Sequence, residues 1–241
     1  MKNLFKFIVV VAVFVLITVI CNAEEKNYEF VSINGLTEQM IAEKMLKDIY
    51  NKLGIVIKIN PVPGERAKLL ATTGQVDGET LRIFSYGEKN KMMIRIPTPY
   101  SSLETTVFAK KSKNVSIKTK EDLLNYKIVI VRGVQHTKDI TDGIKNVHVI
   151  DNSELMMKFI NAERADIAIT NKFSGNTELK KLGLNDIIPV ITLETLDLFH
   201  YLHEKNKDVV TKVNTVIKDM TASGELKSLR EKYEKELLNS N

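Results

Sequence analysis

The alternation of apolar and polar positions divides this chain into short strands and amphipathic helices in regular succession. Tyr28 to Ile33 reads as a strand. Leu36, Met40, Ile41, Met45, Ile49 and Leu53 then recur at helical spacing, and Gly54 ends that helix. Ile55 to Ile59 is β-branched and predicts the next strand. Glu65 to Thr73, closed by Gly74, predicts a second helix, and Val76 to Ile83 a third strand. The order βαβαβ implies a parallel sheet with helices on its faces. The pattern then restarts. Thr119 to Asp122 opens a short helix. Lys127 to Val131 reads as a buried strand, Gly133 breaks it, and a helix follows to about Ile144. Val147 to Ile150 is a strand. Asn152 or Ser153 caps a helix carrying Leu155, Met156, Phe159 and Ile160, and Asp166 to Thr170 is the next strand. Two α/β units of similar plan result, joined through Thr106 to Lys110. A strand over Leu196 to Leu202 and two helices complete the chain, the last amphipathic and charged from Glu225 to Leu238.

The N-terminus has a different pattern. Lys2 and Lys6 precede an apolar run from Phe7 to Ile20, about fourteen residues. That fits a signal-peptide core and falls short of the roughly 20 residues needed to span a bilayer. Small residues at the end of Cys21-Asn22-Ala23 predict cleavage after Ala23. The alternatives are lipidation at Cys21, disfavoured by bulky Ile20 before it, and a retained anchor. Cys21 is the only cysteine, so the mature chain has no disulfide and no thiolate metal site. The formal charge of +5 falls to +3 with the leader lysines removed. So mild a charge, with no basic stripe interleaved with aromatics, excludes nucleic acid as a partner. A hydrophobic share of 44% suffices for a core built without cross-links. Nucleophile-elbow, P-loop, H-E-x-x-H and dinucleotide-fingerprint motifs are all missing.

Five segments in order resemble the bacterial extracellular solute-binding proteins of family 3. They are GIVIKINPVPGERAKLLATTGQVDG, TPYSSLETTVFAKK, IKTKEDLLNYKIVIVRGVQHTKDI, FINAERADIAITN and VNTVIKDMTASGELKSLREKYEKE. The resemblance implies a type II periplasmic-binding-protein-like fold of two α/β lobes joined by two crossing strands, with a ligand cleft between them. It implies a leader at 1–23, a first lobe from 24–108 plus 193–241, and a second lobe at 109–192. It further implies a monomeric, non-enzymatic receptor without cofactor or metal, exported to the periplasm, that delivers a small molecule to the permease of an ABC transporter. A sensory receptor acting through a separate partner is the alternative. An enzyme built on the same cleft, with Glu79 and His136 as its acid–base pair, is a further one.

Candidate ligand residues follow from that frame. The resemblance places Thr105 and Asn171 where amino-acid binders carry charged groups, and both are neutral here, so an ordinary α-amino acid is not expected. Arg82 is the expected anchor for an anionic group, with Glu79 orienting it or pairing with it. Arg82→Ala is thus expected to abolish binding and leave the fold stable. Arg66, in the first turn of the second helix, and Arg132, between a strand and a helix, are further cationic candidates. Gln135 and Thr137 offer donors at a helix start. Tyr100 and Ser102 follow Pro99 and would line the cleft. The ligand expected is small, polar and partly anionic. His200 and His203 fall on opposite sides of a predicted strand, which argues against a metal site.

Overall fold

The computed structural model describes residues 27–239. The predicted leader, with its cleavage site and Cys21, lies outside them. Among the described residues nine strands form one continuous mixed sheet in the order β2-β1-β3-β9-β5-β8-β6-β7, with β4 pairing to β9. In the first lobe β1 (Tyr28–Ile33), β2 (Ile57–Val62) and β3 (Gly78–Ile83) run parallel. In the second, β6 (Ile128–Val131), β7 (Val147–Ile150) and β8 (Ile167–Asn171) do the same. Antiparallel β5 (Ser101–Lys110) and β9 (Ile187–His203) run through the middle and belong to both halves. The two βαβ units are therefore as the periodicity predicts.

Helices cover the sheet for the expected reason. Along α1 (Thr37–Asn51) the residues Ile41, Ala42, Met45, Leu46 and Ile49 make one buried stripe. It packs with Tyr28, Phe30 and Leu202 of the sheet and with Val213 and Ile217 of α7 (Val210–Ala222). The second lobe has its own core, where Ile128, Ile130, Ile167 and Ile169 meet Val107 and Leu123. A third cluster joins the lobes: Ile33 and Leu36 pack with Phe108, Val131, Val134 and Met156. The remaining helices are α2 (Gly64–Thr72), α3 (Phe84–Lys89), α4 (Gln135–Ile140), α5 (Ser153–Asn161), α6 (Lys172–Leu182) and α8 (Glu225–Asn239).

Some expectations need correction. The strand expected over Leu196 to Leu202 is the end of a 17-residue strand that begins at Ile187. Its first half is only partly buried, so the period-two signal is diluted by Glu194 and Asp197. The helix expected to reach Ile144 stops at Ile140, and α3, α6 and β4 carry no prediction. Strand β2 runs on through Pro61, which is tolerated because β2 is the sheet's edge.

Candidate functional site

Each lobe directs strand ends and helix starts toward the seam between them. Arg82 stands at its centre. Glu79 and Arg82 are three residues apart on β3, a spacing that places side chains on opposite faces of a regular strand. The register against β9 slips between them, however: Glu79 faces Tyr201 and Arg82 faces Phe199. This bulge brings both side chains to one side. Arg82 Nε then donates to Glu79 Oε2 at 2.5 Å, with both residues almost fully buried. Tyr86 donates its hydroxyl to the other Glu79 oxygen and lays its ring 4.8 Å from the guanidinium. Arg82 Nη2 donates to Gly64 O of its own lobe at 3.2 Å, and Nη1 donates across the seam to Gly133 O at 3.3 Å. The guanidinium thus pins a first-lobe helix start to a second-lobe loop.

That pinning requires two glycines in contact. Gly133 has φ +77°, and a Cβ there would lie 2.8 Å from Gly64 Cα. A Cβ on Gly64 would come within 2.9 Å of Gly133 O. Gly64→Ala is therefore expected to prop the lobes apart at Arg82 without disturbing either core. Small-angle scattering should record a larger radius of gyration than wild type; an unchanged radius would show that the seam accommodates the methyl group.

Thr105 of the shared strand β5 lies beside His136 and Asn171 of the second lobe; His136 lines the seam cavity, and Asn171 lines a neighbouring pocket of about 330 Å³ with Ser102, Phe173 and Arg230. Thr105 and Asn171 are directly opposed on β5 and β8, so they share a face. Thr105 Oγ1 lies 2.9 Å from His136 Nδ1 and 3.3 Å from Glu194 Oε1. Burial pushes the His136 imidazole down to about 4, against a small opposing pull from Asp139, so the ring is neutral. Its Nε2 is buried without a partner. Asn171 caps α6 by accepting from Phe173 N at 2.8 Å, which fixes its amide orientation and leaves Nδ2 buried and unpartnered. Lys89 and Ser85 of the first lobe both bond Asp139 of the second.

The other predicted residues divide clearly. Tyr100 is buried and donates to Thr80 O at 2.7 Å. The Ser102 carbonyl accepts from Arg230 of α8 at 3.1 Å. Thr137 is buried in the first turn of α4, where its hydroxyl donates to Val134 O at 3.0 Å. Gln135 lines the seam and donates to Asp139 Oδ1 at 2.7 Å. Arg66 and Arg132 are exposed; Arg132 lies 3.3 Å from Asp151 at the mouth of the cleft. His200 belongs to the first-lobe core, where it meets Tyr50 Oη at 2.9 Å and Glu79 O at 2.8 Å. Residue-by-residue reasoning passed over Glu38. It lies on the same helical stripe as Ile41, Ala42 and Met45, and a carboxylate at a position predicted to be buried is the signal that would have found it.

The seam is nearly shut. The cavity lined by Glu38, Arg82, Val134 and His136 measures about 30 Å³, room for about one water and no organic solute. A pocket of about 310 Å³ opens at its mouth, between Asn34, Gly64, Arg132 and Asp151.

Two α/β lobes on a pair of shared strands, closed over a polar seam, define a cleft-type binding protein. The chain belongs to the bacterial extracellular solute-binding proteins, family 3, whose model matches residues 17–236. An uncharacterized protein of Shewanella oneidensis is 29% identical over 190 residues, covering 76% of this chain and 72% of that protein. Solved structures share the fold. A histidine kinase sensor domain with similarity to periplasmic binding proteins superposes with a TM-score of 0.76 at 14% identity, over 87% of this chain and 96% of that one. A mutant of the arginine-binding protein ArgBP from T. maritima gives 0.72 at 16%, over 86% and 94%. The amino acid ABC transporter substrate-binding protein AbpA from Streptococcus pneumoniae, bound to L-arginine, gives 0.71 at 14%, over 88% and 96%.

Proposed function

We propose that this protein is an exported receptor that closes on one small polar solute and passes it, chemically unchanged, to the permease of an ABC transporter. The observation that carries this reading is a pair of unpartnered buried atoms, His136 Nε2 in the seam cavity and Asn171 Nδ2 in the pocket that meets it at Leu103. Each buried polar atom left unbonded costs about 1–3 kcal/mol. A ligand entering an opened cleft would relieve both, so the cost becomes a driving force for binding. Asn171 Nδ2 is a donor and calls for an acceptor oxygen on the ligand. Membership of a solute-binding family supports the receptor class.

The proposed lobes are 24–108 with 193–241, and 109–192, closing about β5 and β9. The ligand enters at the mouth pocket, and its oxygen takes the Asn171 donor. An anionic oxygen fits that donor as well as a neutral one. Arg82 supplies little free charge to an anion, because Glu79 neutralises it. A receptor that reports to a membrane sensor is the second reading, favoured by the structural likeness to a histidine kinase sensor domain.

A thermal-shift screen of the purified protein against amino acids, dicarboxylates, peptides, polyamines, sugars and inorganic anions tests the proposal. A ligand at a hundredfold excess over its Kd adds about 2.7 kcal/mol to stability. Asn171→Asp keeps the α6 cap but exchanges the donor for an acceptor, and should weaken any hit. A panel with no hit, or a hit indifferent to Asn171→Asp, would count against the seam as the binding site.

A further inference from the structure

Glu38 is a buried carboxylate with no cation beside it. It sits in the first turn of α1, 8% exposed, and lines the same cavity as Arg82 and His136. Its side-chain partner is the hydroxyl of Ser174, which reaches across from α6 in the other lobe. Among the described residues no lysine, arginine or histidine forms an ion pair with it. The charged and titratable groups of the surrounding elements are committed elsewhere. Arg82 on β3 is bound to Glu79, and His136 on α4 is neutral. Arg230 on α8 acts on Glu38 only at a distance, and is bonded to Glu234, Ser101 and Ser102.

The charge balance of the seam follows. Of the two buried carboxylates Glu38 and Glu79, Glu79 is paired with the Arg82 guanidinium and Glu38 has no ion-pair partner among the described residues. A buried charge in excess is expensive unless it is neutralised by a proton or a counter-ion. In the closed seam burial pushes the Glu38 carboxyl up, with the Ser174 bond opposing, so a proton is the internal remedy. A ligand cation is the external one.

We propose that Glu38 is the recognition residue for a protonated amine, and that the seam takes a small organic amine of net positive charge rather than an anion. This rests on the receptor reading above and names the ligand class for the same cleft. The amine would replace the Ser174 hydroxyl as the partner of Glu38, while an acceptor oxygen on the same molecule meets Asn171 Nδ2. Arg82 stays with Glu79. A carboxylate on the ligand would meet two carboxylates and only one guanidinium that is already paired, so net anions are rejected electrostatically.

Three probes of equal length separate the charge classes: 5-aminopentanamide (net positive), 5-aminovalerate (zwitterion) and 5-amino-5-oxopentanoate (net negative). Calorimetric titration of the intact protein should rank them in that order. Glu38→Gln conserves shape and removes the charge, and should weaken the first probe roughly ten- to hundredfold, as expected for a hydrogen bond between charged groups. Because Gln relieves a buried charge, the variant should fold, which its thermal midpoint checks. The inference is overturned if the anionic probe binds best, if Glu38→Gln binds the amine as tightly as wild type, or if neither amine binds. The first two results would leave the receptor reading intact and remove only the charge assignment. The third leaves the receptor reading to the broad screen, where a hit on any other compound class upholds it.

Discussion

Arg82→Ala is expected to lower the free energy of unfolding by about 3–5 kcal/mol, well beyond a local loss of binding. The reason is what remains behind. Glu79 is 1% exposed, and its only cationic partner among the described residues is Arg82. Without the guanidinium, a buried carboxylate keeps only the Tyr86 hydroxyl. The same substitution frees Gly64 O and Gly133 O and so unpins the lobes. The geometry therefore replaces the sequence-based expectation of a stable, non-binding variant with that of a destabilised one. Chemical denaturation of Arg82→Ala against the double variant Arg82→Met with Glu79→Gln measures the difference. The double variant should recover most of the loss, because no unpaired charge is left. Equal destabilisation in both would show that packing, not the uncompensated charge, sets the cost.

Acidification should produce the second large effect. Burial holds His136 and His200 near a pKa of about 4, against 6.5 for an unburied imidazole. His200 is pushed down by burial, with its backbone hydrogen bonds opposing. Both folded-state values lie below the unfolded one, so the unfolded chain binds more protons between them. The stability they contribute is fully present above about pH 6.5 and is lost as pH falls toward 4, roughly 3 kcal/mol for each ring. Glu38 acts in the opposite sense, because its folded value is raised and a falling pH favours the buried protonated form. Burial raises the Glu43 carboxyl in the same sense as Glu38. The two imidazoles set the expected sign, and the urea midpoint should drop between pH 6.5 and 4.5. His136→Gln should shallow that drop while leaving the His200 share. A midpoint flat across this range would mean that neither ring is held neutral by burial. His136 faces the seam, so part of the acid response should appear as lobe opening before the cores melt.

The elements were legible where burial is one-sided and local. The stripe Ile41, Met45, Ile49 and the β-branched run at 128–131 announce a helix and a buried strand whatever lies opposite. The seam was legible only in part. Of the residues singled out, Arg82 and Gln135 line the seam cavity, Glu79 is bonded to Arg82 and Thr105 to His136, whereas Asn171 lines a neighbouring pocket with Ser102 and Arg230. Arg66 and Arg132, marked for their charge and position near helix starts, stand exposed. His136, offered as one half of an acid–base pair with Glu79, is a neutral ring inside α4 bonded to Thr105.

The sequence by itself determined the succession of elements, the two parallel units and the family, because each rests on periodicity within a segment or on motifs in order. Only the tertiary structure decided how the polar groups are shared out. A bulge in β3 turned Glu79 and Arg82 to one face, which paired the predicted anion anchor with Glu79. Closure of the lobes set Glu38 against Ser174, 136 residues away, and left His136 Nε2 in the seam cavity without a partner. Pairings across such separations have no signature in local composition. Whether a charge is solvated, paired or stranded depends on what the chain brings to its other side.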